Sequence, residues 1–442
     1  MKQAKFEMGR PNSEPQKAFF TSRTKYTAYG GARGGGKSWA VQRKAALMAL
    51  RYGGIRILIL RRTFPELREN HILPMMALLN GVAEYKQAER RFYFPNGSAI
   101  VFGYCASETD VNQYQGQEYD AVFLDEATQF TQYQFATLTA CIRGANDFPK
   151  RMYLTCNPGG VGHAWVKRLF VSRKYEPGED PKDYKFIRAS VYDNATLMEK
   201  DPDYVKKLEN LPTDLRRAWL DGDWDVFAGQ YFDEWRPNLH TCEPFALPAH
   251  WRRYFAMDYG LDMLAGYFIA VDDTGRAYVY REVCASGLTI PQAAERILNA
   301  WTGEEIEQWI APPDMWNRRQ DTGRSVAEGF AERGILLVRA ENKRVQGWMA
   351  LKEYLMLRQD GLPGLRVFTS CPYLAESMPN LLHDSRDPND VAAEPHEYTH
   401  GPDAIRYFVA ARPQAAQTPV LPDEDLPAEY EDQMDDFFAF GC

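Results

Sequence analysis

Gly30-Gly31-Ala32-Arg33-Gly34-Gly35-Gly36-Lys37-Ser38 is the stretch on which the fold of this chain turns. From Gly31 it meets the spacing G-x-x-x-x-G-K-[ST], in which glycines let successive backbone N–H groups turn toward phosphate oxygens. Gly31, Ala32, Arg33, Gly34, Gly35 and Gly36 read as the phosphate cradle. Lys37 is placed to reach the β- and γ-phosphates, and the Ser38 hydroxyl to hold Mg²⁺. Residues 25–29 read as a strand and 39–47 as a helix, so the phosphates of ATP are expected at a helix N-terminus.

Outward from this loop, strand-like apolar runs recur at 55–60, 99–102, 121–124 and 152–155, with helix-like stretches between them. That alternation predicts an α/β fold with a mostly parallel sheet covered on both faces. The run 121–124 delivers Asp125 and Glu126 to the end of its strand. There Asp125 would orient Mg²⁺ and Glu126 would polarise the attacking water as general base. Asn157, in Thr155-Cys156-Asn157-Pro158-Gly159-Gly160, stands where a sensor of the γ-phosphate would, although the same residues also read as a Pro-Gly turn. Arg33 would serve as an arginine finger in cis, or Arg143, after the helix-like 135–142, in trans.

The second half has a different rhythm. Three β-rich runs at 253–257, 265–271 and 277–283 are joined by short turns, as in an antiparallel meander. Thr289 and Pro291 open a helix to about 301, a strand at 308–311 follows, and helices near 326–333 and 345–359 flank a strand at 335–339. A strand at 365–369 and a last helix after His400 complete the order βββαβαβα, that of the ribonuclease H-like fold. Asp258 ends the first strand, Asp314 follows the strand after the first helix, and Asp403 opens the last helix. Carboxylates so placed converge on two divalent cations for phosphodiester hydrolysis, and hard oxygen ligands favour Mg²⁺ or Mn²⁺. The nearby Asp321 leaves the Asp314 assignment open.

Composition sets the bounds. The 442 residues imply two cores, and 45% hydrophobic with 25% charged residues is ordinary for a globular chain. No apolar run is long enough to cross a bilayer, and the seven cysteines form no metal-binding spacing, which suits thiols in a reducing cytoplasm. The net charge of −8 arises entirely after Arg412, where eight acids stand with no Lys or Arg; the remaining 52 acids balance 52 bases. An acidic total therefore does not exclude nucleic acid, because binding needs only a local basic face. Domains are expected at 1–225, with a helical lid near 201–220, and at 251–412, joined by a linker at 226–250 and followed by a flexible acidic tail at 413–442.

Together the loop with Arg33, Leu60-Arg61-Arg62-Thr63, Leu124-Asp125-Glu126-Ala127, Thr155-Cys156-Asn157-Pro158 and Asp403-Ala404-Ile405-Arg406-Tyr407 resemble the large subunit of tailed-bacteriophage terminases, the ATPase–nuclease motors of DNA packaging. The resemblance implies an N-terminal P-loop ATPase of the ASCE type and a C-terminal ribonuclease H-like nuclease. It implies that Gln16 contacts adenine, that Asn157 couples hydrolysis to movement, and that Asp262, Glu397 or His400 adds to the nuclease acids. It also implies double-stranded DNA, the procapsid portal protein, a terminase small subunit and a homo-oligomeric, pentameric ring as partners. The expected location is the host-cell cytoplasm, docked transiently on the portal and absent from the mature virion. The tail, ending Phe437-Phe438-Ala439-Phe440, suits docking on the portal, or plain disorder. Arg61, Arg62, Arg90, Arg91, Lys343 and Arg344 are candidate DNA-phosphate contacts. Two rival readings remain: a helicase or repair ATPase with an inactive ribonuclease H-like domain, and a non-catalytic nucleotide-controlled assembly adaptor. Neither explains both acidic constellations.

Overall fold

The computed structural model describes residues 8–225, 229–260, 262–318, 323–341, 343–384 and 386–417. Asp321 and the acidic, aromatic tail end thus lie outside the described residues. The chain divides into two compact units, Met1–Tyr231 with Asn380–His396, and Phe232–Pro379 with Glu397–Cys442. The segment Asn380–His396 lies within the stretch 251–412 expected to form one domain.

The first unit is built on eight strands: β1 (Tyr26–Gly31), β2 (Arg56–Arg61), β3 (Glu84–Lys86), β4 (Arg91–Tyr93), β5 (Ala99–Tyr104), β6 (Ala121–Leu124), β7 (Arg151–Cys156) and β8 (Tyr184–Ala189). Their order is β3-β4-β5-β2-β6-β7-β1-β8. All pairings are parallel except the β3–β4–β5 edge. Alternate residues of β2 go to opposite faces, Ile57 and Ile59 into one core and Leu58 and Leu60 into the other. A strand buried on both faces must read as a continuous apolar run, which is why 55–60 is visible in the sequence. Strand β7 lies between β1 and the acid-bearing β6, the strand insertion that marks the ASCE branch of P-loop folds. Helix α1 (Glu14–Thr21) is capped by Ser13, and α2 (Lys37–Arg51) starts from Gly36 at φ 74°. Edge strand β8 is not legible in the sequence, because its intermittent burial leaves no continuous apolar run.

The second unit carries β9 (Thr241–Cys242), β10 (Arg252–Tyr259), β11 (Leu264–Val271), β12 (Ala277–Ala285), β13 (Gln308–Ala311), β14 (Leu337–Arg339) and β15 (Leu365–Phe368). The order is β14-β13-β10-β11-β12-β15-β9. Strands β10 to β12 form the antiparallel meander, while β13 and β14 add in parallel beside β10. This is the ribonuclease H-like arrangement, extended by β15 and β9 beyond β12. The central β11 is buried along its whole length. Helix Ile290–Ala300 begins with the Thr289/Gln292 capping box and Pro at its first turn, as its sequence predicts. Helix His400–Ala410 packs on β10 and β11 and is buried from His400 to Val409, which fixes where its polar residues stand. Among the described residues no helix is long and apolar enough to cross a membrane.

Candidate active sites

In the first unit, the C-terminal ends of the parallel strands open into a cavity of about 570 Å³ lined by residues 33–39, Arg61, Glu126, Asn157, Asn194 and Tyr204. Gly36 is needed there twice over: its φ is left-handed, and a Cβ would lie 2.5 Å from Gln16 Nε2. Gln16 itself is buried behind the loop, its Oε1 accepting from the Asn12 N–H at 3.0 Å. Asn194 Nδ2 donates to the Gly34 carbonyl at 2.7 Å and so ties the loop to the start of helix Ala195–Lys200.

Lys37 is buried, and its ammonium donates to the Ala32 carbonyl and to Asn157 Oδ1, both at 2.7 Å. Burial pushes its pKa down, with Glu126 first among the groups that oppose the shift. Asn157 completes a bridge, because its Nδ2 donates to Glu126 Oε2 at 2.8 Å. Glu126 has φ 58° and is anchored by its N–H donating to Thr155 Oγ1 at 2.9 Å. A non-glycine residue in the left-handed region costs energy and persists where the surroundings hold it. Here the kink turns Glu126 into the cavity while Asp125, its neighbour, is completely buried.

Asp125 Oδ1 accepts from the Thr155 hydroxyl at 2.6 Å, and its Oδ2 lies 2.7 Å from His71 Nε2, 3.1 Å from Arg61 Nε and 3.4 Å from Ser38 Oγ. Burial alone would raise the Asp125 carboxyl; His71, Arg61 and the Thr155 hydroxyl outweigh it and hold the group below its ordinary value. His71 is wholly buried, and its Nδ1 has no hydrogen-bond partner among the described residues. Sequence reasoning misses His71 because it sits in the π-helical segment Arg68–Ile72, where no motif spacing marks it.

Among the candidate DNA contacts, Arg61 stands apart. Arg61 is buried, with its guanidinium 3.6 Å from Glu126 as well as beside Asp125, so it belongs to the cavity rather than to an outer basic face. Arg62 pairs with Glu394 at 3.1 Å and donates to the Gln129 carbonyl. Arg90 covers the rings of Phe64 and Tyr104, and Lys343 lies 3.6 Å from Glu341. Arg33 stacks on Trp219, its guanidinium carbon 3.3 Å from the ring centroid. Arg143 lies outside the cavity lining, 3.4 Å from Glu118.

The second cluster lies in the second unit. Asp258, near the end of β10, accepts from His400 Nδ1 at 2.7 Å, and His400 Nε2 is 3.2 Å from Asp262. Burial works against a charge on His400, but Asp258 and Asp262 outweigh it and raise the imidazole above its ordinary value. Asp403, three residues along the same helix, is held by Arg406 at 2.8 Å. Burial raises the Asp403 carboxyl and the charge of Asp258 adds to it, while Arg406 and Arg344 oppose. Asp314 stands in the turn Pro313–Trp316 just after β13, exposed. Asp403, Asp258 and Asp314 all bear on the Tyr407 phenol, which burial already raises. The parallel pairing of β10 and β13 brings Asp258 and Asp314 to the same end of the sheet, and the charge of Asp258 acts on Asp403; carboxylate oxygens of this kind are the donors that Mg²⁺ or Mn²⁺ takes. His400, expected as an added ligand, hydrogen-bonds to Asp258.

Residues 23–223 match the family model described as phage terminase large subunit. No curated protein matches the chain. Among solved structures, the large terminase of a thermophilic bacteriophage is 16% identical, with 91% of this chain and 99% of that one aligned at a TM-score of 0.42. The large terminase of bacteriophage HK97 is 13% identical over 90% of this chain and 94% of that one, TM-score 0.48. The large terminase nuclease of thermophilic phage G20c is 13% identical over 42% of this chain and 99% of that one, TM-score 0.31. The match over residues 23–223 spans the phosphate loop, Asp125, Glu126 and Asn157, so this part of the chain is similar to the phage terminase large subunit.

Proposed function

We propose that this chain is the motor subunit of a phage DNA-packaging machine, hydrolysing ATP to translocate double-stranded DNA and cutting concatemeric DNA with a metal-dependent nuclease. The observation that carries the reading is one chain with two separate acidic sites, each at a strand end of its own sheet.

In the first site the backbone of Gly31 to Gly36 and the Lys37 ammonium bind the phosphates, and Gln16 serves the adenine end. Ser38 and Asp125 offer hard oxygens to Mg²⁺, a fit supported by their 3.4 Å separation. Glu126 accepts the proton of the attacking water. Asn157 joins Lys37 to Glu126, so a γ-phosphate that draws on Lys37 also disturbs the hydrogen bond that holds the base. That link suits a sensor. Arg33 reaches the γ-phosphate only by leaving Trp219, and Arg143 only from a neighbouring subunit.

In the second site Asp258, Asp314 and Asp403 would hold Mg²⁺ or Mn²⁺. Bound there, the metal supplies an activated water and stabilises the leaving oxygen of the phosphodiester. Arg406 fixes the rotamer of Asp403, and His400 fixes that of Asp258. The reading brings with it the portal, a small subunit and a pentameric ring as partners, in the host cytoplasm.

The ATPase half is tested by Glu126→Gln. Nucleotide binding is expected to persist while turnover falls by about 10²- to 10⁴-fold, the usual worth of a general base. Turnover unchanged in that variant would favour the nucleotide-controlled adaptor instead.

A further inference from the structure

A second cavity, of about 610 Å³, lies at the far end of α2 from the phosphate loop. Lys37 opens this helix and Arg51 closes it, about 21 Å apart along the axis. The cavity is bounded by the end of α1, the last turns of α2 and the start of β7, so it stands at the opposite edge of the sheet from Asp125 and Glu126. None of the ATP chemistry uses it.

Its lining contains Arg23, Lys44, Arg51 and Arg151 and no Asp or Glu. Arg23 and Arg51 are exposed and Arg151 is half-buried; among the described residues none of these three arginines pairs with a carboxylate. Lys44 is 4% exposed. Its ammonium donates to the carbonyls of Phe19 at 2.7 Å and Phe20 at 3.0 Å, and lies 4.2 Å from the centre of the Tyr153 ring. Helix C-termini present negative ends, which would repel an anion. Lys44 answers the end of α1, and Arg23, Arg51 and Arg151 complete the basic lining. Burial, with Arg151 and Lys185 close by, brings Lys44 down to about 7, in keeping with how little negative charge reaches this place. In a body whose charges otherwise balance, such a concave cluster focuses a positive potential.

We infer that this cavity binds a phosphate group, held by the forked donors of Arg23, Arg51 and Arg151. Guanidinium groups match phosphate oxygens in pairs, and three of them round one concavity suit that ligand better than an isolated carboxylate. The phosphate has two sources, a free phosphate such as a nucleotide's or the DNA backbone.

The test uses the full chain carrying Lys37→Ala, so that the phosphate loop is disabled, with inorganic pyrophosphate as probe in isothermal titration without metal. Binding is expected to remain, and to weaken at least tenfold when Arg51→Ala and Arg151→Ala are added. The same pair is then compared for binding of a short blunt duplex. Weaker pyrophosphate binding with unchanged duplex binding assigns a free phosphate; weakening of both assigns the DNA backbone. Pyrophosphate binding that is absent in the Lys37→Ala chain, or untouched by the arginine pair, overturns the inference. Arg51→Ala/Arg151→Ala in an otherwise native chain should keep its melting temperature and its ATP turnover, so failure here is separable from failure of the ATPase reading. Arg51→Gln/Arg151→Gln repeats the test should the alanine pair melt early.

Discussion

Replacing Asp403 by alanine removes more than a metal ligand. Arg406 is 1% exposed, and its Nε and one terminal nitrogen reach Asp403 Oδ1 at 2.8 and 2.6 Å. Its other terminal nitrogen has no hydrogen-bond partner among the described residues, and the rings of Trp348 and Tyr407 stand 5.0 and 4.3 Å from the guanidinium carbon. Asp403→Ala therefore leaves a buried charge without its carboxylate, a loss of about 3–5 kcal/mol. For a domain of this size each kcal/mol moves the melting temperature by roughly 2–4 °C, so the transition of the second unit should fall by roughly 6–20 °C. Asp403→Asn keeps an oxygen for Arg406 and should cost about 1–2 kcal/mol. Asp403→Ala combined with Arg406→Met should recover most of the loss, since neither half of the pair remains. Differential scanning calorimetry of the full chain reads all three. An Asp403→Ala protein that melts within about 2 °C of the wild type would refute the dependence of Arg406 on Asp403. The consequence is practical: cleavage lost in Asp403→Ala mixes chemistry with unfolding, and Asp403→Asn is the cleaner probe.

Two further outcomes follow from the first unit. His163 accepts from the Gly159 N–H at 2.9 Å on Nδ1, which leaves the proton on Nε2 beside the Trp224 carbonyl and the ring neutral. Burial lowers its pKa from 6.5 to about 4, so the unfolded chain takes up a proton first as the pH falls. Stability present above pH 6.5 is then lost toward pH 4, by about 3 kcal/mol; urea unfolding at pH 7 and 4.5 should show it, and a slope that survives in His163→Gln would exclude this cause. Gly222 has φ 64°, and a Cβ there would lie 2.8 Å from the Ala32 nitrogen and 2.9 Å from the Gly31 carbonyl carbon. Gly222→Ala should add about 1–2 kcal/mol of backbone strain, push the phosphate loop out of place and weaken ATP binding at least tenfold, read with a fluorescent nucleotide; unaltered affinity would mean that the loop tolerates the shift.

The phosphate loop and the acids at 125 and 126 are legible because local spacing alone defines them. The apolar run before Asp125 and Glu126 is β6 itself, buried on every residue. Asp258, Asp314 and Asp403 can be found because each ends or opens an element whose type the apolar pattern reveals. What the sequence hides comes from tertiary approach. His71 reaches Asp125 across 54 positions, a distance no motif encodes. Arg61 ends β2 beside β6 in register, so strand pairing decides that it faces Asp125 rather than DNA. The stack of Arg33 on Trp219 likewise depends on where the segment Arg217–Asp221 returns to the loop.

The most direct test of two independent sites in one chain is plasmid cutting with Mg²⁺ or Mn²⁺, comparing the wild type with Asp258→Ala and Glu126→Gln. Nicking and linearisation should require the metal, vanish in Asp258→Ala and persist in Glu126→Gln. Cutting that survives in Asp258→Ala would contradict this reading.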